Sequence, residues 1–399
     1  MTPEAVRTRC SELLDIGLNG GLPVFAVDAG RIPACAGYVA DEIRRNYPSL
    51  DVPFHSRWRH FELGGEDLWA RTADAGDLSG IDRAVAAGDL AVVSVLLDAG
   101  AGADWRYEDP ATGLVIGRSE GLALASLRMF ESGLFSADPE DPLRVDAAAL
   151  AALAPDRLAA AMQVRADNPL IGVEGRTALL RSLGAAIANH PDAYSRNGSV
   201  RPGNLIAMLA DGAGSGTLPA RDILIALLDT LTEIWPPRIG LGGVALGDVG
   251  RHPSIERSDA TAGIVPFHKL SQWMSYSLIE PLKWAGADVV ALDGLTGLAE
   301  YRNGGLFIDS GVLALRDPSL AGRPHPPHDG IIVEWRALTV AMLDRIADEV
   351  RVLLGRTAAD LPLASVLQGG TWTAGRRIAA ERRPGGTPPL TVASDGTVF

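Results

Sequence analysis

Apolar residues recur at three- and four-residue steps along most of the chain, and that spacing predicts helices. Val6, Cys10, Leu13, Leu14 and Ile16–Leu18 give residues 1–20 one apolar face. Val39–Tyr47, Arg83–Leu97 and Arg118–Phe130 repeat the pattern, the last stopped by Gly133. An Ala/Leu-rich run predicts one helix over Asp146–Val164. Further helices are expected over Thr177–Asn189, Ala220–Ile234, Lys269–Glu280 and Ile331–Leu354. Residues 51–70 break the rhythm with Phe54, Trp58, Phe61 and Trp69. Strand signals are short. Asp288–Leu292 is an apolar run of strand length, and glycine-rich Pro236–Pro266 reads as loop or short strand. After Gly369 the chain is rich in Gly, Pro and Arg and is expected to wrap the surface.

With no repeat and no clear linker, the fold class expected is mainly α, one large helical domain over 1–399 with a few short strands. Residues 1–90 would form an N-terminal helical part, 91–380 the site-bearing core and 381–399 a surface tail.

Composition narrows the function classes. The 399 residues are 47% hydrophobic, ample for a large core, and the 6% aromatic content suits Ala/Leu-rich helices. A formal net charge of -13 repels phosphate backbones, so no nucleic-acid partner is expected; the longest basic cluster is Arg376, Arg377, Arg382 and Arg383. Cys10 and Cys35 show no zinc-ligand spacing and read as buried thiols of a reducing compartment. His252, His325 and His328 are single histidines beside prolines, so neither a metal nor a cofactor is implied. Met1–Gly17 lacks the apolar core of a leader, and no apolar run reaches membrane-spanning length. A cytoplasmic enzyme acting on a small-molecule substrate is the expectation, with no membrane partner and a homodimer left open.

Four segments carry candidate chemistry. In Val265–Glu280, helical spacing puts Lys269, Gln272, Tyr276 and Glu280 on one stripe, with His268 just before it and Trp273 and Met274 beside it. A solvated face is the competing reading, but such faces repeat Glu and Lys instead of mixing Lys, Gln and Tyr. Leu292–Gly305 concentrates Asp293, Thr296, Glu300, Tyr301, Arg302 and Asn303 between two apolar runs, as expected of a turn aimed into a site or of an ion-pair network pinning a loop. Glu334 and Arg336 open the long helix and could orient that loop. Leu96–Glu120 delivers Asp104, Trp105 and Arg106 from a Gly-rich turn, followed by Arg118 and Glu120. Trp105 could stack on a planar ligand and an arginine could hold a phosphate, or Asp104 and Arg106 could cap helices. Gln368–Arg376 is read as a glycine-rich turn opening a helix, a weak anion seat without a P-loop lysine.

Hydrolysis of an N-glycosidic bond passes through a sugar cation. It needs a carboxylate near the anomeric carbon, groups that hold the ribose, and assistance to the leaving nitrogen. Glu300 and Asp293 offer carboxylates, and Lys269 and Arg302 offer cations. The rival pattern is Val289–Gly297, VVALDGLTG, which is similar to the strand, acid and Thr-Gly turn of a phosphoribosyltransferase, although with one acid where two are usual. A noncatalytic nucleotide-binding protein is the third reading.

The segments LLDAGAGADWRY, RSEGLALASL, RPGNL, PFHKLSQWMSYSLIEPL, LTGLAEYRNGG, GGTWTAGR and SDGTVF resemble the uracil-catabolism family of fungi and bacteria. That resemblance implies a role at the step where a ribosylurea is split to give urea. A more distant similarity is to the helical queuosine-salvage nucleotide N-glycosidases. Lys269-Leu-Ser-Gln272, Leu295-Thr-Gly-Leu-Ala-Glu-Tyr-Arg302 and Glu334-Trp-Arg-Ala337 resemble that family's three motifs in order and approximate spacing. The likeness implies Glu300 in place of a catalytic aspartate and Lys269 as the site lysine. Glu lengthens the side chain by one carbon, and Asn303-Gly-Gly departs from that family's Val/Leu-Pro-Gln. The substrate implied is ribosylurea or its 5′-phosphate, with Asp293, Gln272 and Tyr276 organising the site and Trp105 closing it.

Overall fold

Helices carry nearly all the regular structure, and the strands are two or three residues long and paired only in twos. The computed structural model describes residues 2–235 and 239–393; the closing SDGTVF lies outside them. The expected mainly α class is what the protein adopts. Among the described residues the chain gathers into two compact units, not sequential parts. The first comprises residues 2–55, 239–272 and 291–393, and the second 56–235 and 273–290.

In the first unit, the Pro3–Leu18 helix begins at a Thr2 cap whose Oγ1 accepts from Ala5 N at 3.2 Å, with Pro3 in the first turn where no donor is needed. It buries Val6, Cys10, Leu13 and Leu14. It packs on the 25-residue Gly330–Leu354 helix, as does Ile32–Asn46. The long helix ends at Gly355, whose φ of 63° is the left-handed stop that glycine supplies without strain. Two antiparallel pairs frame it, Phe25–Val27 with Leu313–Leu315 and Val249–Arg251 with Ile264–Pro266.

The Gln368–Arg376 segment is not a turn. It lies inside a continuous helical run from Leu363 to Arg382 with a π-helical stretch at Leu367–Thr371. Its glycines serve packing: a Cβ at Gly369 would sit 2.7 Å from Val52 Cγ1, and one at Gly370 2.7 Å from Val39 Cγ1. The backbone here is spent on helix contacts, so the anion seat is withdrawn. Much of this stretch is buried and does not wrap the surface.

The second unit is built on the Gly80–Leu96, Arg118–Glu131, Val173–Asn189 and Ala220–Leu231 helices. The single helix expected over Asp146–Val164 is two, Ala147–Ala152 and Pro155–Ala161. Pro155 is the cause: it lacks an N–H and drives Ala154 to an extended ψ of 143°. The Lys269–Trp284 helix does the reverse and runs through Pro281. The donor that Pro281 cannot supply to Ser277 O comes from Trp58 Nε1 at 2.8 Å. Asp288–Val290 is a strand, parallel to Thr217–Pro219.

Candidate functional site

The first unit holds a cluster of buried polar groups where the strand pair feeds the helix that begins at Lys269. Pairing of Val249 with Pro266 puts Asp248 beside Phe267. The Asp248 carbonyl then accepts from both Phe267 N and His268 N at 3.0 Å, and its Oδ2 accepts from Lys269 N at 2.9 Å. Those bonds hold His268 at a φ of 48°, a left-handed conformation uncommon outside glycine and asparagine. Arg336 clamps the same carboxylate with two bonds of 2.8 and 2.7 Å, and its guanidinium lies 4.1 Å above the Phe267 ring. Burial alone would raise the Asp248 carboxyl; the Arg336 charge and the donated hydrogen bonds outweigh it and hold it below the ordinary value. Burial dominates at His268, whose pKa falls to about 4 although Asp248 pulls the other way. The His268 ring is 1% exposed, and neither nitrogen has a hydrogen-bond partner among the described residues.

The acidic loop meets this helix at its first turn. Gln272 Nε2 donates to Thr296 Oγ1 at 2.8 Å, and Thr296 N donates back to Gln272 Oε1 at 3.3 Å. Four residues on, Glu300 starts the Tyr301–Asp309 helix as its N-cap. Oε2 accepts from Arg302 N at 2.7 Å and Oε1 from Asn303 N at 2.6 Å. The carboxyl is buried and its pKa is raised. Desolvation exceeds the opposing pull of the two amides and of the Lys269 and Arg302 charges. Lys269 thus bears electrostatically on Glu300. It bears on His55 as well, whose pKa is lowered to about 4 by burial first, with the Gln368 bond opposing and Lys269 adding to the fall. His55 Nδ1 lies 2.8 Å from Gln368 Oε1, with the Trp372 ring 5.9 Å away.

The remaining residues named from sequence separate into two groups. Arg302 donates to Gly386 O at 2.7 Å and stacks on the half-buried Tyr301 at 4.9 Å. Asn303 is fully buried with neither amide atom partnered among the described residues. Asp293 stands apart from the Glu300 set: Oδ2 pairs with Arg351 at 2.6 Å and Oδ1 accepts from Leu363 N at 2.7 Å, which pins the loop. Glu334 does not pair with the loop either. It accepts from Phe25 N at 2.7 Å and contacts His252 Nε2 at 2.9 Å. Of the two, only Arg336 reaches the loop, through Ala299 O at 3.4 Å.

In the second unit, Tyr276 is buried. Trp105 is a core residue: it is fully buried and Nε1 donates to Met162 O at 2.9 Å, so it cannot serve as an open stacking face. Arg106 turns back onto Ala103 O and Trp105 O at 2.8 and 2.7 Å, and Asp104 is exposed. Arg118 is exposed at a φ of 58°, and Glu120 is half-buried. Among its described residues the second unit buries two arginines: Arg176, bonded to the Ala99 and Gly100 carbonyls, and Arg57, paired with Asp98 at 3.1 Å and bonded to Ser94 Oγ at 2.7 Å.

Sequence reasoning passed over Asp248 and His55. Asp248 sits in a stretch read as loop, and His55 in an aromatic segment. Their side-chain partners lie far along the chain, Arg336 88 positions from Asp248 and Gln368 313 positions from His55, and left no local signal. Both cysteines are buried free thiols. Among the described residues no three or more His, Cys, Asp or Glu group as metal ligands, and no helix is long and apolar enough to cross a membrane.

A family model described as "Protein of unknown function (DUF1688)" matches residues 1–399. Protein urg3 of Schizosaccharomyces pombe is 39% identical over 403 residues, covering 99% of this chain and 96% of that protein. Uracil catabolism protein 4 of Lachancea kluyveri is 37% identical over 410 residues, covering 94% and 92%.

Proposed function

The chain belongs to the DUF1688 family, and from that membership, with relatives that include Uracil catabolism protein 4, we propose that it acts in uracil catabolism as a hydrolase of an N-ribosyl bond. The substrate is ribosylurea or its 5′-phosphate. Water adds to the anomeric carbon, the carbon–nitrogen bond breaks with its electron pair leaving on nitrogen, and a proton completes urea. The observation that carries this reading is the buried Glu300 carboxyl, with the Lys269 charge acting on it, at the start of a helix.

Glu300 faces the reacting carbon, stabilises the sugar cation and takes the proton of the attacking water. Burial favours that transfer because it raises the carboxyl above its ordinary value. The helix N-terminus and Lys269 supply positive field that keeps the carboxylate available as a base and attracts an oxygen-rich ligand. Asp248 and Arg336 hold the Lys269 backbone, so the ammonium starts from a fixed root. Arg302 is tethered at one nitrogen to Gly386 O and extends the positive lining.

The test is direct. Purified protein given ribosylurea releases urea and ribose. Glu300→Gln keeps one of the cap's two acceptor oxygens, so it still folds with a loss of about 1–3 kcal/mol while release falls on the order of 10²–10⁴-fold. Release by that variant at the parent rate would remove Glu300 from the reaction.

A further inference from the structure

Asn303 is the one fully buried primary carboxamide with both polar atoms unpartnered among the described residues. Its backbone N–H lies 2.6 Å from Glu300 Oε1, so the amide branches from the turn that holds the reactive carboxyl. A desolvated amide without partners costs free energy, and native proteins keep such groups satisfied. Gln272, the other buried amide of this unit's site, is fully engaged with Thr296, which makes Asn303 the exception.

A carboxamide presents one acceptor and one donor side by side. Its complement is a group with a donor and an acceptor on one edge, and a terminal ureido group, –NH–CO–NH2, has that edge. Two antiparallel hydrogen bonds then form, Asn303 N–H to the ureido carbonyl and ureido N–H to Asn303 Oδ1. Exchanging the amide oxygen and nitrogen leaves the match intact, since the ligand turns over with it. A sugar hydroxyl would fill one half and a phosphate would repel the carbonyl half.

We propose that Asn303 is the ureido-recognising group of this site, selecting a leaving group that ends in –CO–NH2. The inference rests on the N-ribosyl hydrolase reading and adds what that reading leaves open, the group that distinguishes urea from other leaving amides.

Two ligands test it, ribosylurea and N-ribosylacetamide, in which a methyl replaces the terminal amine. The parent protein favours ribosylurea on the order of 10²-fold in kcat/KM, because the methyl strands the Asn303 carbonyl. Asn303→Asp keeps the acceptor and removes the donor, and Asn303→Leu removes both groups. In Asn303→Leu the preference collapses toward unity, mainly through ribosylurea, whereas Asn303→Asp keeps it, since both ligands carry the carbonyl that the lost donor served. A preference unchanged in Asn303→Leu overturns the proposal. Asn303→Leu without ligand unfolds at the same or higher guanidinium concentration, since a stranded amide has been removed; a clear loss of stability would mark Asn303 as a structural residue and overturn the assignment. Should the parent release urea from neither compound, the hydrolase reading fails. Calorimetric binding of the same two ligands then decides this inference separately: tighter binding of ribosylurea that is lost in Asn303→Leu upholds it, and equal binding overturns it.

Discussion

Gln272 and Thr296 are joined by two hydrogen bonds, side chain to side chain at 2.8 Å and side chain to backbone at 3.3 Å. The pair ties the first turn of the lysine-bearing helix to the loop that leads into Glu300. Oγ1 of Thr296 also lies 3.1 Å from Gly297 O, so one hydroxyl both accepts and donates.

Thr296→Val keeps the shape and removes that hydroxyl, leaving Gln272 Nε2 without this acceptor. The loss expected is about 1–3 kcal/mol in guanidinium unfolding, with Thr296→Ser near the parent. A Thr296→Val protein as stable as the parent would show that the tie contributes nothing.

Asp248→Asn leaves the Arg336 guanidinium buried without its counter-charge. Breaking one side of such a pair costs about 3–5 kcal/mol, and replacing both partners by apolar residues recovers much of it. Equilibrium unfolding of the single and double variants measures this. Activity should fall further than stability explains, because Lys269 N loses part of its anchor.

Stability should fall on acidification through the two buried histidines. His55 and His268 both have pKa values near 4 in the folded protein, below the ordinary value near 6.5, so the unfolded chain takes up protons first. Their contribution is whole above about pH 6.5 and drains as pH falls toward 4, by about 1.4 kcal/mol per pH unit for each ring. Unfolding followed between pH 7 and 4 reads the slope, and His55→Gln removes one ring's share. A slope identical in that variant would contradict the assignment to His55.

Trp58→Phe takes away the donor that stands in for Pro281 at Ser277 O. The expected cost is about 1–3 kcal/mol from the stranded carbonyl, beyond any change in packing. Adding Pro281→Ala restores a backbone N–H, so the second substitution should cost less in the Trp58→Phe background than in the parent, or stabilise it. Additive losses would show that the indole does not fill that role.

Helical periodicity made most of the fold legible. Pro3–Leu18, Gly80–Leu96 and Gly330–Leu354 fall within three residues of the helices expected. The misreadings have local causes. Pro155 split a composition that looked continuous, whereas Pro281 failed to stop a helix because a distant indole replaced its donor. Gly369 and Gly370 looked like a turn because glycine serves both sharp bends and close packing, and only the facing Val39 and Val52 tell which. Trp105 carried the chemistry of a stacking platform, but its indole is used up inside the core.

By itself the sequence determined the helical class, the acidic balance and the two motifs that carry Lys269, Gln272, Glu300 and Asn303, because spacing and residue type are local properties. Tertiary structure alone decided that Asp248 and Arg336 root Lys269, that Glu300 caps a helix, that Asp293 is bound to Arg351, and that His55 belongs with Gln368. Burial and hydrogen-bond geometry arise from segments far apart along the chain, and whether a polar side chain supports the fold or is left for a ligand depends on which of its atoms that packing has already satisfied.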